Sequence, residues 1–197
     1  RTAPNKFLRL DIDSPTELES GFPKTRADLY RFRAIILGSI EASFFTHDQL
    51  AMLADFVNVR GGGLLFLGGR RSFAKRRYAG TPLADVMPVV LTGDAVPDSM
   101  TFFANLRVAL APAGASHAVA QIGATPAASS ERWKTLPEVT TVNRIRQVKP
   151  GAVTLISGSL AAGGRAGEPG APLRGYEAPV LLYQHYGRGL SVAFPIQ

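Results

Sequence analysis

Two short stretches set small and polar residues directly after apolar runs that read as strands: Gly38-Ser39-Ile40-Glu41 and Gly68-Gly69-Arg70-Arg71-Ser72-Phe73. In open parallel sheets a ligand binds beyond the carboxyl ends of the strands, so Ser39, Glu41, Gly69, Arg70, Arg71 and Ser72 are the candidate ligand-binding residues. The chemistry on offer is capture of a small anion. Paired glycines allow a tight turn and can leave backbone N–H groups facing an anion, with the arginines alongside; they can equally do no more than make the turn.

A second chemistry, hydrolysis, would use Ser72 as nucleophile with His117 and Glu41 as base and orienting acid, although no spacing forces the three together. The competing role for His117 is a structural hydrogen bond near a helix start. His47 opens a helix, where a surface or capping role suffices, and His185 lies in the strand-like Tyr183-Gln184-His185-Tyr186-Gly187. Three histidines without His-Glu-x-x-His or paired-acid spacing supply no metal ligand set, and neither glycine-rich nucleotide fingerprint is present. No metal and no cofactor is therefore expected. The absence of cysteine from all 197 residues excludes a thiol nucleophile, a cysteine zinc site and a disulfide framework.

The net charge of +7, from 22 Lys and Arg against 15 Asp and Glu, is concentrated locally. Arg60, Arg70, Arg71, Lys75, Arg76 and Arg77 occur with no acid among them, as suits a phosphate, an anionic headgroup, an acidic protein face or plain solvent. Specific nucleic-acid binding is not expected, because no aromatic platform or reading helix accompanies the charge. Phe102-Phe103 would mark a partner surface if exposed.

Several elements must position these residues. Phe7–Ile12 alternates with period two and reads as a half-exposed edge strand, with Asp11 and Asp13 on one strand face as solvated edge charges. Ala34–Leu37 and Leu64–Leu67 are continuous apolar runs closed by glycine, the pattern of central strands buried on both faces. Between them Thr46 and Gln49 have capping-box spacing and Leu50, Leu53, Ala54 and Val57 recur at helical intervals, which makes a right-handed βαβ unit. Its core is expected from Ile35, Phe56, Val57 and Leu65.

Farther along, Thr81-Pro82 opens a short helix to Val86, Leu106–Leu110 is a strand, and Thr125-Pro126 opens a helix through Trp133, with Trp133 and Leu136 as packing residues. Val153–Ile156, Val180–Tyr186 and Leu190–Phe194 are further strands, the last two a hairpin around Gly187-Arg188-Gly189 at a sheet edge. Ala161–Leu173, rich in Gly and Pro, is expected to be an exposed loop. No apolar run reaches the length of a membrane-spanning helix, so this segment is expected to be soluble. Residues 1–197 read as one α/β domain, a fragment of a longer chain.

The string from Arg33 to Glu41, through Thr46–Arg60 and Gly61-Gly62-Gly63-Leu64-Leu65-Phe66-Leu67-Gly68-Gly69-Arg70-Arg71-Ser72-Phe73, to Tyr78–Val89 resembles the glutamine amidotransferase-like domain of the class I glutamine amidotransferase superfamily. Ser116-His117 and Arg132-Trp133-Lys134 fit the same pattern more loosely. That domain occurs in large bacterial membrane-anchored proteins, often beside von Willebrand factor A-type domains. The resemblance implies a flavodoxin-like three-layer sandwich with a mainly parallel central sheet and a C-terminal antiparallel hairpin. It places the nucleophile position on or beside Gly69, where a working enzyme carries cysteine served by a His-x-Glu pair.

The expected function is then a catalytically silent amidotransferase-like domain, acting as a binding or interaction module in a larger, membrane-anchored bacterial protein. Its partner would be another protein or other domains of the same chain, with a membrane reached only through segments outside this chain. The alternative is a hydrolase or amidotransferase with Ser72 in place of cysteine.

Overall fold

The computed structural model describes residues 8–69, 73, 78–91, 102–103, 105–140, 142–145, 147–160 and 177–196. Local sequence signals set the helices. In α2 (His47–Asn58) the Thr46 hydroxyl accepts from the Gln49 N–H and the Gln49 side chain accepts from the Thr46 N–H, so two orphan amides are satisfied at once. One face of α2 buries Leu50, Leu53, Phe56 and Val57. The short helices α1 (Arg26–Tyr30) and α3 (Pro82–Val86) pack against it. Gln184 Nε2 donates to the Val86 and Met87 carbonyls at the end of α3, and Lys149 Nζ donates to those of Ala84 and Asp85. Burial lowers the Lys149 pKa below its ordinary value, against an opposing pull from Asp85.

Among the described residues a six-stranded sheet runs β1 (Ala34–Gly38), β2 (Gly63–Leu67), β8 (Gly189–Phe194), β7 (Ala178–Tyr186), β6 (Val153–Leu160), β4 (Leu106–Leu110). A two-stranded piece joins β3 (Phe102–Phe103) to β5 (Val142–Asn143). β1, β2 and β8 are parallel in unbroken register, Ile36 beside Leu65 beside Val192. β7, β6 and β4 are joined by antiparallel pairings. The fold is α/β, with a mixed sheet that is parallel at one end only.

Three expectations are corrected by this order. β1 is an edge strand, not a central one, and Ile36 is 63% exposed on it, because the apolar run specifies a strand without specifying a second neighbour. The β7–β8 hairpin lies inside the sheet. Its two-residue loop, Gly187-Arg188, docks on the end of α2, where the Arg188 N–H donates to the Asn58 carbonyl at 2.9 Å and Gly187 (φ 57°) sits so close to Asn58 that a Cβ would collide with it. That docking seats β8 against β2. Residues 8–12 form no strand: Asp11 is left-handed (φ 52°) and Arg9 donates to the Pro15 and Glu17 carbonyls, so the alternation folds back on its own loop with Leu8 and Leu10 exposed. Asp11 and Asp13 accordingly share no strand face.

Side chains alternate across the parallel strands. Leu64, Phe66, Ala193 and Leu182 join the core under α2 and α3, whereas Val192, Phe194 and Tyr183 face the other way, toward a second core cluster with Trp133 of α4 (Pro126–Thr135). Leu65, expected in the first core, is half-buried on that second face. Leu136 is 37% exposed at the end of α4. The stretch Ala161–Leu173 lies outside the described residues, as do the side chains of Phe102 and Phe103.

Candidate functional site

The carboxyl ends of β1, β2 and β8 converge on Ser39, Gly68, Gly69 and Pro195, and Val142–Asn143 is laid across them. Val142 bridges to Ile196, and the Asn143 N–H donates to the Pro195 carbonyl at 2.8 Å. Asn143 is buried. Its Oδ1 accepts from the Gly69 N–H at 3.2 Å while its Nδ2 donates to the Gly69 carbonyl at 3.1 Å, a closed pair joining positions far apart in sequence. The preceding Gly68 N–H donates to the Phe194 carbonyl at 2.7 Å. Both glycine amides are therefore engaged within the protein and neither faces an anion.

Ser39 turns the chain out of β1 in the left-handed region, φ 51°, which a residue with a Cβ occupies at a cost. Its Oγ donates to the Gly68 carbonyl at 3.2 Å. A Cβ on Gly69 would collide with that Ser39 Oγ, and one on Gly68 would collide with the Pro195 and Ile196 backbone. Glycine is needed here because strands and side chains close in from both sides, rather than to free an amide.

Glu41 is 8% exposed and its carboxylate accepts from the Ser43 hydroxyl at 3.3 Å. Beside it, the Tyr78 hydroxyl donates to the Ile40 carbonyl at 2.7 Å and the ring stands edge-on to Phe66. Burial pushes the Tyr78 phenol up to about 12. Ser39, Glu41 and Gly69 are thus gathered at one end of the sheet, whereas Arg70, Arg71 and Ser72 lie outside the described residues.

His117 stands elsewhere. Its ring lies 5.7 Å from that of Tyr183, which is in register with Val192 and so two strands from β2 in the middle of the second face. Its Nδ1 accepts from the Val119 N–H at 3.3 Å, a structural hydrogen bond. His185 is exposed with its ring 6.1 Å from that of Tyr183, and His47 is exposed in the first turn of α2. Among the described residues no three His, Asp or Glu side chains converge as metal ligands, and no helix is long and apolar enough to cross a membrane. A pocket of about 430 Å³ opens away from the strand ends, in the N-terminal segment between Asp13, Glu17, Lys24, Asp28 and Arg31.

Two residues of the strand-end cluster, Asn143 and Tyr78, were not among the sequence candidates. Tyr78 does begin one of the stretches that carry the family resemblance. Asn143 has no sequence signal, since a lone asparagine between Val142 and Arg144 has no distinctive pattern.

No protein-family profile and no curated protein matches the sequence. Among solved structures, the chain is similar to the cytoplasmic protein STM1381 from Salmonella typhimurium LT2, with 21% identity, a TM-score of 0.63 and 89% of this chain covered. It spans 65% of that protein's length. Weaker likenesses are to the GH42 β-galactosidase Gan42B (12% identity, TM-score 0.48, 85% of this chain and 19% of that one) and to the cold-adapted β-galactosidase from Rahnella sp. R3 (13%, 0.47, 86% and 21%). The similarity to STM1381 is one of fold.

Proposed function

We propose that the chain is a non-catalytic, class I glutamine amidotransferase-like domain that serves as a binding or interaction module within a larger bacterial protein. The observation that carries the reading is the state of Gly69. At the position where the resemblance puts a nucleophile, both backbone groups are held by Asn143 and a side chain of any kind would collide with Ser39. A nucleophile must stand exposed on its turn with a base in reach and an oxyanion site beside it. Gly69 supports none of these.

Helices α1 to α3 on one side of the sheet and α4 on the other favour the flavodoxin-like, three-layer form of the fold. The partner on this reading is another protein or a neighbouring domain, and any membrane tether lies in segments outside this chain. STM1381 is described as a cytoplasmic protein, which is compatible with a domain facing the cell interior. An anion near Gly69 would draw nothing from the Gly68 and Gly69 amides, which are engaged within the protein.

Ammonia release from glutamine tests the proposal. The purified protein is expected to give none above a blank, and Gly69→Cys is expected to restore none. Turnover by the wild-type protein that is lost in Ser72→Ala would overturn the reading in favour of the serine hydrolase.

A further inference from the structure

β1 ends the sheet, and one bond on its inner side fixes what its outer side presents. Ala34 is in register with Gly63, whose N–H donates to the Arg33 carbonyl at 3.1 Å. In a parallel ladder that phase turns the N–H and C=O of Ile35 and Leu37 toward β2, and those of Ala34, Ile36 and Gly38 outward. No described residue pairs with these outward groups, and all three residues are exposed. Natural sheet edges are blunted by lysine, proline or a bulge, and Ala34–Gly38 carries none of them.

The side chains add to what the backbone offers. Ile36 is the outermost member of an apolar row that continues through Leu65, Val192 and Tyr183 on the second face of the sheet. α4 packs on that face at the β4 end, whereas Ile36 at the other end is 63% exposed and joins neither core cluster.

We propose that β1 pairs antiparallel with β1 of a second copy of this chain across a two-fold axis at Ile36, joining two six-stranded sheets edge to edge. The strand is self-complementary about that axis. Ile36 stands beside Ile36 of the second copy and Ala34 stands opposite Gly38, so one large pair is flanked by small ones. All three are outward-facing residues, as the hydrogen-bonded pairs of an antiparallel ladder must be. Ser39, in the left-handed region, turns the chain away, so the ladder stops at Gly38. Charge selects the same arrangement: exposed Arg31 and Arg33 precede the strand, and Glu41 and the exposed Asp48 follow it. An antiparallel copy sets each basic start beside the other's acidic end, whereas a parallel one would set like charges together. The contact closes at two copies and is independent of the amidotransferase resemblance. A five-residue ladder is a small interface, so dissociation is expected in roughly the micromolar range.

Sedimentation velocity between about 1 and about 200 µM is expected to show a monomer passing to a dimer. Ile36→Lys places a charge on the edge, and Ile36→Pro removes an N–H that β2 does not use; each is expected to weaken dimerisation at least about tenfold with circular dichroism unchanged. The chain has no cysteine, so disulfide trapping with diamide reads the register directly. Ile36→Cys is expected to cross-link to itself, since the Cα atoms of a hydrogen-bonded antiparallel pair lie about 5.5 Å apart. Ala34→Cys alone is expected not to, its two copies standing about 14 Å apart. Its mixture with Gly38→Cys should cross-link, and a Cβ at Gly38 meets only ordinary contact with Leu67. A monomer at every concentration would overturn the inference and leave the edge to a different protein. A dimer that survives both Ile36 substitutions would also overturn it, moving the contact to the open face, as would self-cross-linking of Ala34→Cys as fast as that of Ile36→Cys.

Discussion

Gly69 and Asn143, 74 residues apart in sequence, exchange two hydrogen bonds that involve the backbone N–H and C=O of one and the whole side-chain amide of the other. The pair fixes the turn after β2 against β5 and thereby closes the end of the sheet where an α/β protein ordinarily keeps its ligand site.

Removing Asn143 should therefore be costly although it lies outside both core clusters. Asn143→Ala leaves a buried donor and a buried acceptor on Gly69 without partners, each worth about 1 to 3 kcal/mol. Denaturant unfolding is expected to show a loss of at least about 2 kcal/mol. A loss under about 0.5 kcal/mol would mean that water replaces the side chain.

Ser39 and Gly69 should behave as a coupled pair. Gly69→Ala is expected to destabilise by about 1 to 3 kcal/mol through overpacking against Ser39. Ser39→Gly should stay within about 1 kcal/mol of wild type, since relief of the left-handed conformation offsets the lost bond to Gly68. The double variant should recover part of the Gly69→Ala loss, and a double-mutant cycle showing strict additivity would refute the contact.

Neighbouring leucines on β2 offer a sharper contrast. Leu64 is 1% exposed in the core beneath α2, so Leu64→Ala should cost about 2 to 5 kcal/mol. Leu65, half-buried on the opposite face, should cost less than about 1.5 kcal/mol. Equal losses measured by thermal or denaturant unfolding would show that the second face is covered in solution.

Alkaline stability reports on Tyr78. Its phenol is neutral in the fold up to about pH 12, whereas an unfolded tyrosine ionises near its ordinary 10.0. The unfolded state then releases a proton that the folded state keeps, so the stabilisation is complete below pH 10.0 and is lost as pH rises toward about 12. Tyr78→Phe should flatten that alkaline slope while costing about 1 kcal/mol at neutral pH for the lost bond to Ile40. An unchanged slope in the variant would assign the alkaline transition to another group.

The legible parts of this fold are those decided within a few residues. Thr46 and Gln49 cap α2 as their spacing requires, Pro82 opens α3, and Thr125 caps α4. The apolar runs at Ile35 and Leu64 form the expected parallel pair around α2. What the sequence does not carry is who neighbours whom: nothing in Leu190–Phe194 says that it joins Leu64–Leu67, or that Ile36 will stand at an edge. The candidate site divides the same way, with Ser39, Glu41 and Gly69 placed after strands as their sequence positions suggest, and Asn143 hidden because its meaning is created by a contact 74 residues away in sequence.

The seating of β8 between β2 and β7 bears on how the molecule is made on the ribosome. β1, α2 and β2 emerge early, yet the strand that completes their parallel trio is translated more than a hundred residues later. Until Gly189–Phe194 leaves the exit tunnel, β2 presents an unpaired apolar flank and β7 lacks the neighbour that its hairpin supplies. Nascent chains stalled before Gly189 should therefore resist compaction and recruit chaperones, and the final closure should be a single, slow, non-local step.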